Sequence, residues 1–217
     1  MNEILGYFFH PEISMDILLN NNDKVKWRDG ILKWVLVAIL AGLLTIATYK
    51  VAGVDLGSLS TTYYGKIVEE LVKSNVNEGV IWLILAIRSI GEILVSAIIR
   101  AGLWIGLIYI VSSILKDIIS LRQIVNMSIF AILTWISSQV FLNIALCISM
   151  ISPIQTINEM LIGLGMLLGY WYLILFIIGY SMISRSTFLK GGMVVLVIQG
   201  LLWGVSNAVP FLQIFLG

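Results

Sequence analysis

Long apolar runs alternate with short polar ones along this chain. The stretches 34–49, 101–115, 124–151, 160–183 and 193–216 carry almost no charge. Several reach the roughly 20 apolar residues that a hydrocarbon core of about 30 Å requires. In lipid such segments must close their backbone hydrogen bonds internally, so they are read as helices. The pattern predicts five crossings, at about residues 31–49, 93–115, 124–151, 160–183 and 191–216. The second is the hardest to bound. Residues 80–115 contain no proline and read as one continuous helix, about 54 Å long at about 1.5 Å per residue. Because Arg88, Glu92 and Arg100 lie within it, 93–115 is assigned to lipid and the preceding turns to the outside or the interface. Ser152-Pro153 ends the third crossing, and Pro210 falls near the end of the fifth.

The polar remainder is organised too. In residues 1–30, Leu5, Phe8, Phe9, Ile13, Ile17 and Leu18 suit one side of a short helix on the membrane surface. An irregular tail with a few buried anchors is the plainer alternative. Residues 63–73 have helical apolar spacing and predict an extracytoplasmic amphipathic helix. The expected organisation is an interfacial cytoplasmic segment, 1–30, and a five-helix transmembrane domain, 31–217, in an all-α integral membrane protein. Orientation follows from the basic residues of the short loops. Lys24, Lys26, Arg28 and Lys33 precede the first crossing, Lys116 and Arg122 separate the second and third, and Arg185 and Lys190 separate the fourth and fifth. These sites share one side only if the N-terminus is cytoplasmic and the C-terminus outside.

Composition agrees with this reading. Of 217 residues, 59% are hydrophobic and 12% charged, against about 45–50% and 25% in soluble domains. The net charge of +1 points to no nucleic-acid partner. A single cysteine, Cys147, excludes an intrachain disulfide and a zinc cluster. Glu3, Glu12 and Asp16 interrupt any secretory signal, so the first crossing is expected to serve as its own uncleaved signal.

Catalytic chemistry is hard to place. The one histidine, His10, precedes the first crossing, which argues against an intramembrane Ser–His dyad or a zinc protease. Glu69-Glu70 is followed by Leu71-Val72-Lys73, without the arginine and histidines of intramembrane prenyl-type proteases. No phosphate-binding glycine loop precedes a Lys-Ser/Thr pair. The expectation is a protein without enzymatic activity, cofactor or metal.

What remains is a set of polar groups inside apolar helices: Arg88 and Glu92 on one helix face, Arg100 two turns on, Gln139, Asn143 and Cys147 in a stripe, and Gln199 and Asn207 with Trp203 between. In the proposed orientation most lie in the outer half of the bundle. They are either functional groups or hydrogen-bonding glue of about 1 kcal/mol each. Three glycine pairs at four-residue spacing, Gly102/Gly106, Gly165/Gly169 and Gly200/Gly204, suit close helix packing within the bundle or a dimer seam. Tyr170-Trp171-Tyr172 falls in mid-crossing and is expected to pack inside.

Two regions carry a family resemblance. Tyr7-Phe8-Phe9-His10-Pro11, with residues 13–19 and the Trp27 to Trp34 entry, is similar to the segment before the first helix in bacterial members of the Yip family, the five-helix domain named for Ypt/Rab-interacting proteins. Trp171-Tyr172-Leu173-Ile174-Leu175 with Gly179, followed by a polar turn with Lys190, resembles that family's fourth helix, and Leu121-Arg122-Gln123 fits its third. The chain departs from the pattern in lacking an early proline in the third crossing, where Phe130 to Trp135 stand. The resemblance implies a non-enzymatic membrane organiser. Some bacterial members resemble accessory subunits of ABC-type exporters, including ones linked to resistance against secreted toxins. It implies no site residues. The expected function is therefore an accessory or scaffold protein that binds other integral membrane proteins, such as ABC exporter subunits. The alternative is a small transporter or permease subunit with a polar route in the outer half of the bundle.

Overall fold

The computed structural model describes residues 10–13, 27–53, 65–151 and 155–216. Six helices of nine residues or more follow one another there: α1 (Trp27–Val51), α2 (Gly65–Lys73), α3 (Glu78–Ile114), α4 (Leu121–Ile151), α5 (Gln155–Ile183) and α6 (Phe188–Leu216). No strand occurs among the described residues. Four helices are long and apolar enough to cross a membrane, over Asp29–Val51, Glu78–Ile114, Leu121–Ile148 and Glu159–Ile183. The described apolar part of α6, Phe188–Gly204, is shorter. The surface segment expected over residues 1–30 lies almost wholly outside the described residues.

The outward faces are as apolar as the inward ones, as expected of an integral membrane protein. On α1, Leu32, Leu36, Leu40 and Leu43 make one exposed stripe. On α3, Leu83, Ile87, Ile98 and Ile99 are exposed. A water-soluble chain would place charge there.

Local chemistry sets the helix ends. Asn77 Oδ1 accepts the Gly79 N–H at 2.8 Å and starts α3. Ser120 and Gln123 form a reciprocal capping box before α4: the Gln123 N–H donates to Ser120 Oγ at 3.3 Å, and the Ser120 N–H donates to Gln123 Oε1 at 3.1 Å. Thr187 Oγ1 accepts the Lys190 N–H at 3.3 Å and starts α6. Three helices stop at a non-glycine residue in the left-handed region: Asn75 (φ 53°), Lys116 (φ 58°) and Arg185 (φ 49°). Each is followed by an N–H that reaches back five residues, as from Asp117 to Ser112 O and from Ser186 to Ser181 O, both at 2.9 Å. The chain thereby reverses within a few residues at both connections.

Two compact units divide the chain. One comprises Arg28–Ile98 with Leu133–Tyr170. In it the amphipathic α2 buries Val68 against Ile81, Trp82 and Leu85 of α3, with Ile46 and Tyr49 of α1 packed alongside. Gly42 lets α1 meet α3 backbone to backbone: a Cβ there would lie 3.1 Å from Ile90 N and 3.3 Å from Ile90 Cα. The other unit comprises Ile99–Ile132 with Trp171–Gly217. At its centre Trp104 stacks on Phe176, centroids 4.2 Å apart, and Tyr172 meets both rings edge-on. Gly191 of α6 abuts α5, where a Cβ would lie 2.7 Å from the Ile177 carbonyl oxygen.

Candidate functional site

The polar groups singled out from sequence separate between the units. Arg88, Glu92, Gln139 and Asn143 belong to the unit holding α1 and α2; Arg100, Gln199 and Asn207 belong to the other. Arg88 and Glu92 are paired, with Nε donating to Oε1 at 2.8 Å, and keep 26% and 39% of their side chains exposed. Arg100 is exposed. Asn143 donates to the Gln139 carbonyl of its own helix at 2.8 Å. The Gln139–Asn143–Cys147 stripe meets a group the sequence reading missed: Thr48 Oγ1 of α1 donates to the Leu44 carbonyl at 2.8 Å and stands 3.0 Å from Cys147 Sγ and 3.4 Å from Asn143 O. This joins α1 to α4. Gln199 accepts from the Tyr172 hydroxyl at 3.3 Å. The Asn207 side chain lies outside the described residues. Of the aromatic trio, Tyr172 is buried, Trp171 half-buried and Tyr170 exposed, which corrects the expectation that all three pack inside.

The glycine pairs divide likewise. A Cβ on Gly165 would meet Leu142 Cδ1 at 3.2 Å and Cα at 3.3 Å, and one on Gly169 would lie 3.7 Å from Ser138 Oγ. α5 therefore rests on α4 at this pair. At Gly102, Gly106, Gly200 and Gly204 a Cβ would meet nothing within 4 Å, and all four are exposed. The expectation of close contact within the bundle is corrected there: among the described residues, no helix packs within 4 Å of a Cβ at these positions.

A seam emerges on α3 instead. Arg88, Glu92, Val95, Ile99, Gly102 and Gly106 follow at alternating intervals of four and three residues, so they share one face. Val95, Ile99 and both glycines are exposed, and the ion pair is partly so. The face begins with charge, continues with β-branched side chains and ends in two notches.

The strongest electrostatic feature is elsewhere, at the reversals after α3 and α5. Asp117 Oδ1 accepts Lys190 Nζ at 2.6 Å, and its Oδ2 accepts the Tyr180 hydroxyl at 2.7 Å. One carboxylate thus ties the α3–α4 connection to α5 and α6. Its side chain is 12% exposed and that of Lys190 37%. Burial alone pushes the Asp117 carboxyl up, but the Lys190 and Tyr180 hydrogen bonds and the Lys190 charge outweigh it and hold the carboxyl below its ordinary value. Asp117 is the only acidic residue between Glu92 and Glu159, set among Lys116, Arg122, Arg185 and Lys190. That solitary charge was the available signal, and counting basic residues alone overlooks it.

Among the described residues, no group of three or more His, Cys, Asp or Glu side chains is placed to hold a metal. In the same residues, Asn126 Nδ2 and Ser128 Oγ are buried without a hydrogen-bond partner. Comparison with known family models, characterised proteins and solved structures finds no match to this chain.

Proposed function

We propose that this protein is a non-enzymatic accessory or scaffold protein of the cytoplasmic membrane, crossing it five times with the N-terminus cytoplasmic and the C-terminus outside. It acts by binding another integral membrane protein along the outward face of α3. The Yip-family resemblance adds an ABC exporter as the class of partner. The observation that carries the reading is the seam from Arg88 to Gly106. Charge at a lipid-facing position costs about 2.5 kcal/mol or more near mid-membrane, and less toward the interface. Glycine notches gain nothing from mobile acyl chains, whereas a partner helix fills them and brings backbones together. Protein contact therefore suits this face better than lipid.

A photo-crosslinking amino acid at Val95 or Ile99 is expected to join the protein to a second membrane polypeptide in cells. The same group at Leu83 or Ile87, on other faces of α3, is expected to capture lipid alone. Gly102→Leu and Gly106→Leu should remove the protein adduct while leaving the Tm of the purified chain within about 1 °C, since no intrachain contact is lost. Gly165→Leu should instead lower stability by about 1–3 kcal/mol through collision with Leu142. Lipid-only adducts at all four α3 positions would contradict the reading. So would substrate movement by the isolated protein in liposomes, the mark of the transporter alternative.

A further inference from the structure

The reversals tied together by Asp117 enclose an open cleft of about 480 Å³, lined by Lys116, Asp117, Ile118, Gln123, Ser184 and Arg185 among others. Its charge is unbalanced. Asp117 is already engaged by Lys190 and Tyr180. Neither Lys116 nor Arg185 has an acidic partner among the described residues, and both are exposed. Both also occupy the left-handed position that ends a helix, where glycine is the unstrained choice. Two cationic side chains therefore stand where neither is the easiest residue for the backbone, and both line the same cleft.

The surroundings distinguish a lipid from a free anion. Ile118 is fully exposed between the cations of this face, and Phe188 and Leu189 are 61% and 68% exposed just after Arg185. Apolar side chains beside lysine and arginine match the boundary where acyl chains give way to phosphates. A site for soluble phosphate has no use for such a rim.

We infer that this cleft binds the phosphate of an anionic phospholipid headgroup, with Lys116 and Arg185 as the charged contacts and Ile118, Phe188 and Leu189 resting in the acyl boundary. The double variant Lys116→Gly/Arg185→Gly tests this cleanly, because glycine removes both charges and relieves both left-handed residues. Its fold is expected to survive, with a Tm in plain detergent no lower than that of the unchanged protein. Phosphatidylglycerol at about a hundredfold excess over Kd should raise the Tm of the unchanged protein by about 5–10 °C. Phosphatidylcholine and inorganic phosphate should leave it where it was. The double variant should lose the phosphatidylglycerol response. An equal response in the double variant would place the lipid elsewhere and overturn the inference. A full response to inorganic phosphate, with nothing added by the lipid, would overturn the choice of a lipid headgroup.

Discussion

Adding one methyl group at Gly191 is expected to destabilise the protein by about 1–3 kcal/mol, and leucine at Gly42 or Gly191 to abolish accumulation of the folded chain. The Gly191 methyl would fall 2.7 Å from the Ile177 carbonyl oxygen and collide with the Ser181 hydroxyl. Ser181 has reason to stay, since its Oγ donates to that same Ile177 carbonyl at 2.7 Å. α5 and α6 must therefore separate, along a contact that also carries Tyr172–Gln199. Alanine favours helix over glycine by about 1 kcal/mol, which softens the loss without reversing it. At Gly42 a methyl would collide with the Ile90 Cγ1, while the nearest backbone atoms are 3.1 and 3.3 Å away, so alanine must displace the Ile90 side chain and shift α1 from α3 but meets no backbone atom as closely as at Gly191. Leucine has no space. Thermal unfolding of the four variants in one detergent checks the order Gly191→Leu and Gly42→Leu worst, Gly191→Ala next, Gly42→Ala mildest.

Removing the Asp117 carboxylate is expected to cost about 1–3 kcal/mol. Asp117→Ala leaves the Tyr180 hydroxyl, on a residue with no exposure, without its 2.7 Å acceptor and strands Lys190 beside it. Lys190 is 37% exposed, so water and salt screen the charge part, and the estimate stays below that for a fully buried pair. Asp117→Asn keeps an acceptor for Tyr180 and should recover part of the loss. The pH dependence has a definite sign. Asp117 is held below its ordinary value, so the unfolded chain takes up its proton more readily than the folded one. Its stabilisation is complete above about pH 5, starts to fall near the ordinary carboxylate value and is lost as pH falls through the folded value. A plot of Tm against pH should drop on the acid side for the unchanged protein and be flatter there for Asp117→Asn. Parallel curves would show that the tie contributes nothing.

Apolar run length alone locates α1, α3, α4 and α5, because lipid demands about 20 such residues and internal hydrogen bonds. The α2 helix was legible from its spacing, as was the Arg88–Glu92 pair four residues apart. Packing was not, for a physical reason: in lipid both faces of a helix are apolar, so periodicity does not say which face turns inward. Gly165 packs on Leu142 while Gly102 faces outward, although each heads the same G-x-x-x-G pattern. Closer approaches fall at Gly42 and Gly191, neither part of a glycine pair; Ala38 four residues before Gly42 is the small partner that a wider search would include. The Asp117 tie joins residues 63 and 73 positions apart, a separation no local pattern reports.

The proposed five-crossing topology puts the Asp117 connection on the cytoplasmic side. Single cysteines at Ser74, Ile118, Thr156 and Phe188, introduced after Cys147→Ser, test it with a membrane-impermeant maleimide. Ser74, Thr156 and Ile118 lie in exposed positions at helix connections, and Phe188 is the exposed first residue of α6. Positions 74 and 156 are expected to label in intact cells, and 118 and 188 only after permeabilisation. Labelling of 118 and 188 from opposite sides, or of 118 and 156 from the same side, would contradict it.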